Sequence, residues 1–230
     1  MGNILELKDI SLVTKDKTIL KNINLDVPKG ALMAILGESG SGKSTMFKVI
    51  AGWEKPSKGQ VFMTLSNGRV DITDMPINQR DIHLMPPNFE LFVNMDARKN
   101  IAYGLRYKGV DVNEGNEQVR ELIEELELKG YECRFSKDLS SGQQQRIAFA
   151  RTIIGKPSVL LLDEPFSALN DRLRLIVEKI IKRYREQYGM TVIYTTHDKK
   201  AAQEFCDVML TMESGNLNST KTTTLNEKLT

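Results

Sequence analysis

The sequence predicts an α/β fold: a mostly parallel sheet flanked by helices, entered through an antiparallel β lead-in and interrupted by an inserted α-helical subdomain. Three observations carry this. The apolar run Ala31-Leu32-Met33-Ala34-Ile35-Leu36 has strand length and is followed, after a glycine-rich loop, by Thr45-Met46-Phe47-Lys48-Val49-Ile50-Ala51 at helical spacing. A second run, Val159-Leu160-Leu161-Leu162, is apolar without alternation, as a strand covered on both faces is. Between them, from about Asp96 to Leu128, the residues Val119, Leu122, Ile123, Leu126 and Leu128 form one apolar stripe among acidic side chains. That spacing predicts helices packed on the core by one face, with the charges solvated.

The remaining elements follow in order. Ile4-Leu5-Glu6-Leu7 and Ile19-Leu20-Lys21-Asn22-Ile23-Asn24-Leu25 read as strands separated by the polar turn Thr14-Lys15-Asp16-Lys17, which is the antiparallel lead-in. Pro56-Ser57-Lys58-Gly59 is a turn before the alternating strand Gln60 to Leu65, and Ser66-Asn67-Gly68-Arg69 turns that strand back into Val70-Asp71-Ile72. Met190 to Thr196 reads as a further buried strand.

A chain of 230 residues has room for one large α/β core, or one core with a smaller lobe inserted into it. Its 40% hydrophobic and 27% charged content is ordinary for a soluble globular protein, and a formal charge of +2 gives no case for nucleic-acid binding. No apolar run approaches the ~18 to 20 residues of a membrane span. Glu6, Asp9, Asp16 and Asp26 break up the first thirty residues, so the apolar block of a secretory signal is not expected. The expected location is the cytosol, with membrane contact made only through a partner. Cys133 and Cys206 stand apart with no metal-ligand spacing and read as reduced thiols.

The chemistry is concentrated in four places. Gly37-Glu38-Ser39-Gly40-Ser41-Gly42-Lys43-Ser44 fits the pattern G-x-x-x-x-G-K-[ST] between a strand and a helix, the setting of a phosphate-loop NTPase core. Glycines let several backbone N–H groups converge on one anion, and the positive end of the helix that Ser44 and Thr45 open adds to the attraction. Lys43 is expected to reach the β- and γ-phosphates and the Ser44 hydroxyl to help hold Mg²⁺. At Ser140-Ser141-Gly142-Gln143 a polar loop opens a second helix; read alone it is a helix cap, and read beside the first loop it invites a partner's phosphate. Asp163-Glu164-Pro165 closes the second apolar strand: Asp163 is assigned to Mg²⁺ through water and Glu164 to the attacking water as general base, against the plainer reading of an acidic turn. His197 follows the strand that ends at Thr196, where an imidazole can donate to a γ-phosphate oxygen.

With these blocks in order, the chain resembles the nucleotide-binding subunit of an ATP-binding cassette transporter from about Ile4 to Leu229. The resemblance implies ATP and Mg²⁺ as ligands, with Lys43, Glu164 and His197 catalytic. It also implies a head-to-tail homodimer, or pairing with a similar cassette subunit, in which each phosphate loop faces the other's signature loop at Ser140. One domain spans 1–230, with 1–86 and 151–230 as the nucleotide-binding core and about 87–150 as the helical subdomain. The runs Met75-Pro76-Ile77-Asn78-Gln79-Arg80-Asp81-Ile82, Asn88-Phe89-Glu90-Leu91-Phe92 and Asn100-Ile101-Ala102-Tyr103-Gly104-Leu105 are similar to those of the importer group handling polyamines, iron, oxyanions, thiamine or sugars. For such an importer, transmembrane permease subunits are expected to dock between about Pro87 and Tyr103 and a solute-binding protein to act indirectly. No nucleic acid is expected as a partner, and the subunit is expected on the inner face of the membrane. The carboxy-terminal regulatory domain of many members is not expected in a chain of this length.

Departures from the family pattern bear on activity. The loop glutamine falls on Pro87, which has no side-chain donor or acceptor and no N–H, although Asn88 is adjacent. The adenine-stacking aromatic falls on Thr14, and no Phe, Tyr or Trp precedes Phe47. Ser141 replaces the first glycine of the signature pair, where a Cβ either crowds the partner's γ-phosphate or adds a hydroxyl donor. Asn170 stands in Ser167-Ala168-Leu169-Asn170 where aspartate is usual. The expectation is an importer motor. A clamp with weak hydrolysis and a soluble non-transport cassette are its rivals.

Overall fold

The computed structural model describes residues 2–15, 17–106 and 112–219. Asp16 of the first turn, residues 107–111 within the predicted helical stretch, and the last part of the family-like region lie outside the described residues. The strands are β1 (Asn3–Thr14), β2 (Lys17–Pro28), β3 (Leu32–Leu36), β4 (Lys58–Leu65), β5 (Gly68–Asp71), β6 (Ile82–Met85), β7 (Val159–Leu162), β8 (Thr191–Thr196), β9 (Val208–Glu213) and β10 (Asn216–Ser219). The helices are α1 (Lys43–Ala51), α2 (Ala97–Tyr103), α3 (Val112–Glu125), α4 (Ser141–Ile153), α5 (Asp171–Tyr188) and α6 (Lys199–Phe205).

Two sheets form. One is antiparallel in the order β2-β1-β4-β5, and the other runs β10-β9-β3-β8-β7-β6, parallel except for the β9–β10 hairpin. Side chains alternate along a strand, and β7 shows what this does. Val159 and Leu161 enter a core shared with the antiparallel sheet and α1, where Leu7, Ile23, Phe47 and Ile50 are buried. Leu160 and Leu162 enter a second core with Ile101, Leu122, Phe149 and Ile181 from the helical side. β3, β7 and β8 are buried along their whole length, and in β3 and β7 this shows as a continuous apolar run.

β1 and β2 each run to 12 residues, well beyond the short segments the alternation marks. The reason is local: Asp9 (φ 53) and Asn22 (φ 50) adopt left-handed backbone at register shifts. Asn24 crosses the irregularity, accepting from Asp9 N (3.1 Å) and donating to Asp9 Oδ1 (3.0 Å). A bulge of this kind interrupts the two-residue period without ending the strand. β6, β9, β10, α5 and α6 are further elements that the pattern does not single out.

The sheet order determines where chemistry can occur. Four neighbouring parallel strands, β3, β8, β7 and β6, present their carboxyl ends along one edge, where open α/β sheets place their ligands.

Candidate active site

That edge carries a cavity of about 750 Å³ lined by Gly37, Ser39, Gly40, Gly42, Lys43, Ser44 and Thr45 after β3, Pro87 after β6, Asp163 and Glu164 after β7, and His197 after β8. Residues from four separate stretches of sequence therefore meet in one place. Glu38 and Ser41 line an adjoining cavity of about 580 Å³ with Gly37 and His197. Ser140, Ser141, Gly142 and Gln143 do not line the main cavity; they form the start of α4.

The phosphate loop is built for an anion. Gly42 takes the N-cap position of α1 with φ 113, and among the described residues no side chain caps that helix start. Ser41 Oγ is buried without a hydrogen-bond partner among the described residues, an arrangement that normally awaits a ligand or water. Lys43 is 7% exposed, and its Nζ donates to Gly37 O (2.6 Å) and Glu38 O (3.0 Å), so the charge is held inside the loop. A Cβ on Gly37 would collide with the Met212 carbonyl and Ser41 Oγ, so glycine is required there. At the far end of α1, Arg80 donates to the carbonyls of Val49 (3.3 Å) and Ile50 (2.8 Å), a basic group on the negative helix terminus.

The two carboxylates have different settings. Asp163 is 2% exposed, and its Oδ1 accepts from Thr195 Oγ1 at 2.6 Å. The same hydroxyl accepts from Glu164 N (2.9 Å), so one threonine on β8 positions both acidic residues. Glu164 has φ 51, an uncommon conformation for a residue with a side chain. Its Oε2 lies 3.2 Å from His197 Nδ1, which joins the expected base to the expected imidazole. Thr195 is not marked by the sequence pattern: β8 carries three threonines, Thr191, Thr195 and Thr196, and only the contacts across to β7 distinguish this one.

Pro87 lies in the segment 86–92, in which Phe89 (φ 63) and Glu90 (φ 42) take left-handed backbone. Arg151 of α4 holds that segment, donating to Phe89 O (2.8 Å) and Glu90 O (2.9 Å) with its guanidinium 5.0 Å from the Phe92 ring centre. Burial lowers the pKa of this arginine, opposed by the charge of Glu90. Thr14 does not line the cavity; its hydroxyl donates to Lys17 O (3.3 Å), and Lys17, Thr18, Ile19 and Lys21 form the wall beside it. Among the described lining residues there is no Phe, Tyr or Trp. At the signature position, Ser140 Oγ accepts from Gln143 N (3.3 Å) while Gln143 Oε1 accepts from Ser140 N (2.8 Å), a complete capping box. Asn170 is likewise a cap, accepting from Leu173 N at the start of α5.

A family profile described as ABC transporter matches residues 20–167. The chain belongs to the ABC transporter family. It is 39% identical over 215 residues to the Fe(3+) ions import ATP-binding protein FbpC of Escherichia coli O157:H7, covering 94% of this chain and 61% of that protein. To the spermidine/putrescine import ATP-binding protein PotA of Lawsonia intracellularis (strain PHE/MN1-00) it is 37% identical over 216 residues, covering 94% of this chain and 58% of that one. The chain therefore spans about three-fifths of the length of these curated relatives. Among solved structures it is similar to a dimeric ATP-binding cassette in a post-hydrolysis state bound to ADP and Pi, with TM-score 0.83 and 27% identity over 94% of this chain and 98% of that chain.

Proposed function

We propose that this protein is the ATP-binding and ATP-hydrolysing subunit of an importer, working as a head-to-tail dimer beneath transmembrane permease subunits. The observation that carries the reading is the single cavity in which the phosphate loop, Asp163, Glu164 and His197 come together. The α1 N–H groups and Lys43 bind and orient the triphosphate, and Glu164 takes the proton of the attacking water. His197 Nδ1 rests on Glu164, and Nε2 donates to a γ-phosphate oxygen when both ring nitrogens carry a proton.

Mg²⁺ suits the donors present. The Ser44 hydroxyl and the Asp163 carboxylate line the same cavity, and among the described residues no group of three or more His, Cys, Asp or Glu is placed to hold a metal ion by itself. Mg²⁺ is commonly held by one or two protein oxygens with substrate phosphates and water completing its shell. When bound it would neutralise charge on the β- and γ-phosphate oxygens.

The relatives' names support import as the coupled process, and the dimeric cassette of similar fold supports the pairing. In that pairing Ser140, Ser141, Gly142 and Gln143 meet the other subunit's nucleotide. The helical part, 87–150, carries the permease contact near 87–103, where Val93 is 78% exposed. Among the described residues no helix is long and apolar enough to cross a membrane, and membrane association on the cytoplasmic side is assigned to the partners.

Phosphate release from MgATP by the purified protein, abolished by Glu164→Gln with ATP binding retained, is the expected result. Turnover unchanged in that variant would refute the assignment of Glu164 as base. Pro87 on the cavity wall favours one second reading, a nucleotide-dependent clamp with weak hydrolysis. ATP-driven dimerisation without phosphate release would select it.

A further inference from the structure

We infer that Gln145 is a positioning residue for the reaction, fastening the loop that carries Glu164 to the helix that begins at Ser140. The inference rests on the reading of Glu164 as general base. Gln145 lies on the second turn of α4 and is 0% exposed, so its amide has no water to turn to. Its Nε2 donates to Glu164 O (3.0 Å) and to Ser167 Oγ (3.2 Å), and its Oε1 accepts from Ala168 N (3.0 Å). The orientation of the amide is dictated by its partners: a carbonyl must meet the NH₂ and an N–H must meet the oxygen. Leaving such buried groups unpaired is costly, so the bonds hold the loop and the helix together.

Two further contacts show what this fastening does. Glu164, at φ 51, is kept in an uncommon backbone conformation by Thr195 at its N–H and by Gln145 at its carbonyl. Such conformations persist where the surroundings over-determine them. One residue into the same helix, a Cβ added to Gly142 would lie 2.9 Å from Ala168 O, so the first turn of α4 already touches the loop backbone. Glu164 and the signature end of α4 thus form one body within the chain. A displacement of α4 at its Ser140 end is carried to the carboxylate through Gln145.

The test replaces Gln145 by Met, which matches its length and removes all three bonds, and by Glu, which keeps an acceptor for Ala168 N only. Steady-state kinetics with MgATP is paired with amide hydrogen exchange on the full-length, nucleotide-free protein. The Met variant is expected to lower kcat about 10- to 100-fold, the range for misplacing a catalytic group by about 1 Å, while KM for ATP changes little. The Glu variant should also lower kcat because its carboxylate faces the Glu164 carbonyl, while exchange at Ala168, whose acceptor it keeps, should accelerate in the Met variant. A lowered melting temperature with kcat per folded molecule and Ala168 exchange both unchanged would make Gln145 merely structural and overturn the inference. If the wild-type protein does not turn over MgATP, the proposed function fails and exchange alone decides. Faster exchange then upholds the tether, and unchanged exchange overturns it. Should the Met variant not fold, the Glu variant decides: a lowered kcat per folded molecule with KM unchanged upholds the inference, and an unchanged kcat overturns it.

Discussion

Helix α1 opens on Gly42 with no side-chain cap among the described residues, whereas α4 opens on Ser140, whose hydroxyl and backbone are both engaged by Gln143. Both are helix starts after a serine- and glycine-rich loop, and both look like anion cradles in sequence. The difference is in what already satisfies the free N–H groups. At α1 they remain open, and a buried hydroxyl and a lysine stand beside them, so the start can take a phosphate within its own chain. At α4 a capping box has taken part of that capacity, and none of the carboxylates lines the same space. In the proposed pairing α1 is the primary site and α4 a half-site that matters when a second copy brings its own phosphate.

The largest expected effect separates the two starts by chemistry. Lys43→Ala should lower ATP turnover by at least about 100-fold, the cost of removing a group aimed at transition-state charge, and should abolish nucleotide-driven pairing. Next comes a backbone change. Gly42→Ala forces a Cβ at φ 113, within 3.2 Å of Ile19 O, and should lose ATP binding. It should also lose about 1–2 kcal/mol of stability by chemical denaturation, the usual cost of left-handed backbone with a side chain. Ser140→Ala removes half of the capping box and should cost about 1 kcal/mol. ATP binding by the single chain should be intact, so equal loss of binding in Ser140→Ala and Gly42→Ala would erase the distinction between the starts. The smallest effect concerns the base. With no Phe, Tyr or Trp among the described lining residues, neither purine gains the ~1–3 kcal/mol of an aromatic stack, and GTP should be hydrolysed within about tenfold of ATP. A preference for ATP above that range, measured as kcat/KM, would show that Lys17, Ile19 and their neighbours select adenine by other means.

Much of this arrangement is legible in the sequence because it depends on local pattern. The phosphate loop declares itself through glycine spacing and Lys43, and β3 and β7 through uninterrupted apolar runs that burial on both faces demands. His197 and Glu164 can be placed at one sheet edge because parallel strands share a direction. What escapes is set by contacts between distant segments. Thr195 acts on Asp163 and Glu164 across neighbouring strands, and nothing near it in sequence says so. Gln145 sits in a run of three glutamines, and only tertiary packing distinguishes the buried one. The full length of β1 and β2 is hidden for a related reason: the Asp9–Asn24 bridge allows two polar residues to interrupt an alternation that continues beyond them.

The most direct measurement is the mass of the Glu164→Gln protein in solution, by light scattering, with MgATP present and then removed. The account predicts the mass of two chains with nucleotide and of one chain without it, and of one chain throughout when Lys43→Ala is added. A single-chain mass with ATP demonstrably bound, alone and with the permease subunits present, would contradict the pairing of one copy's open helix start with the other copy's capped one.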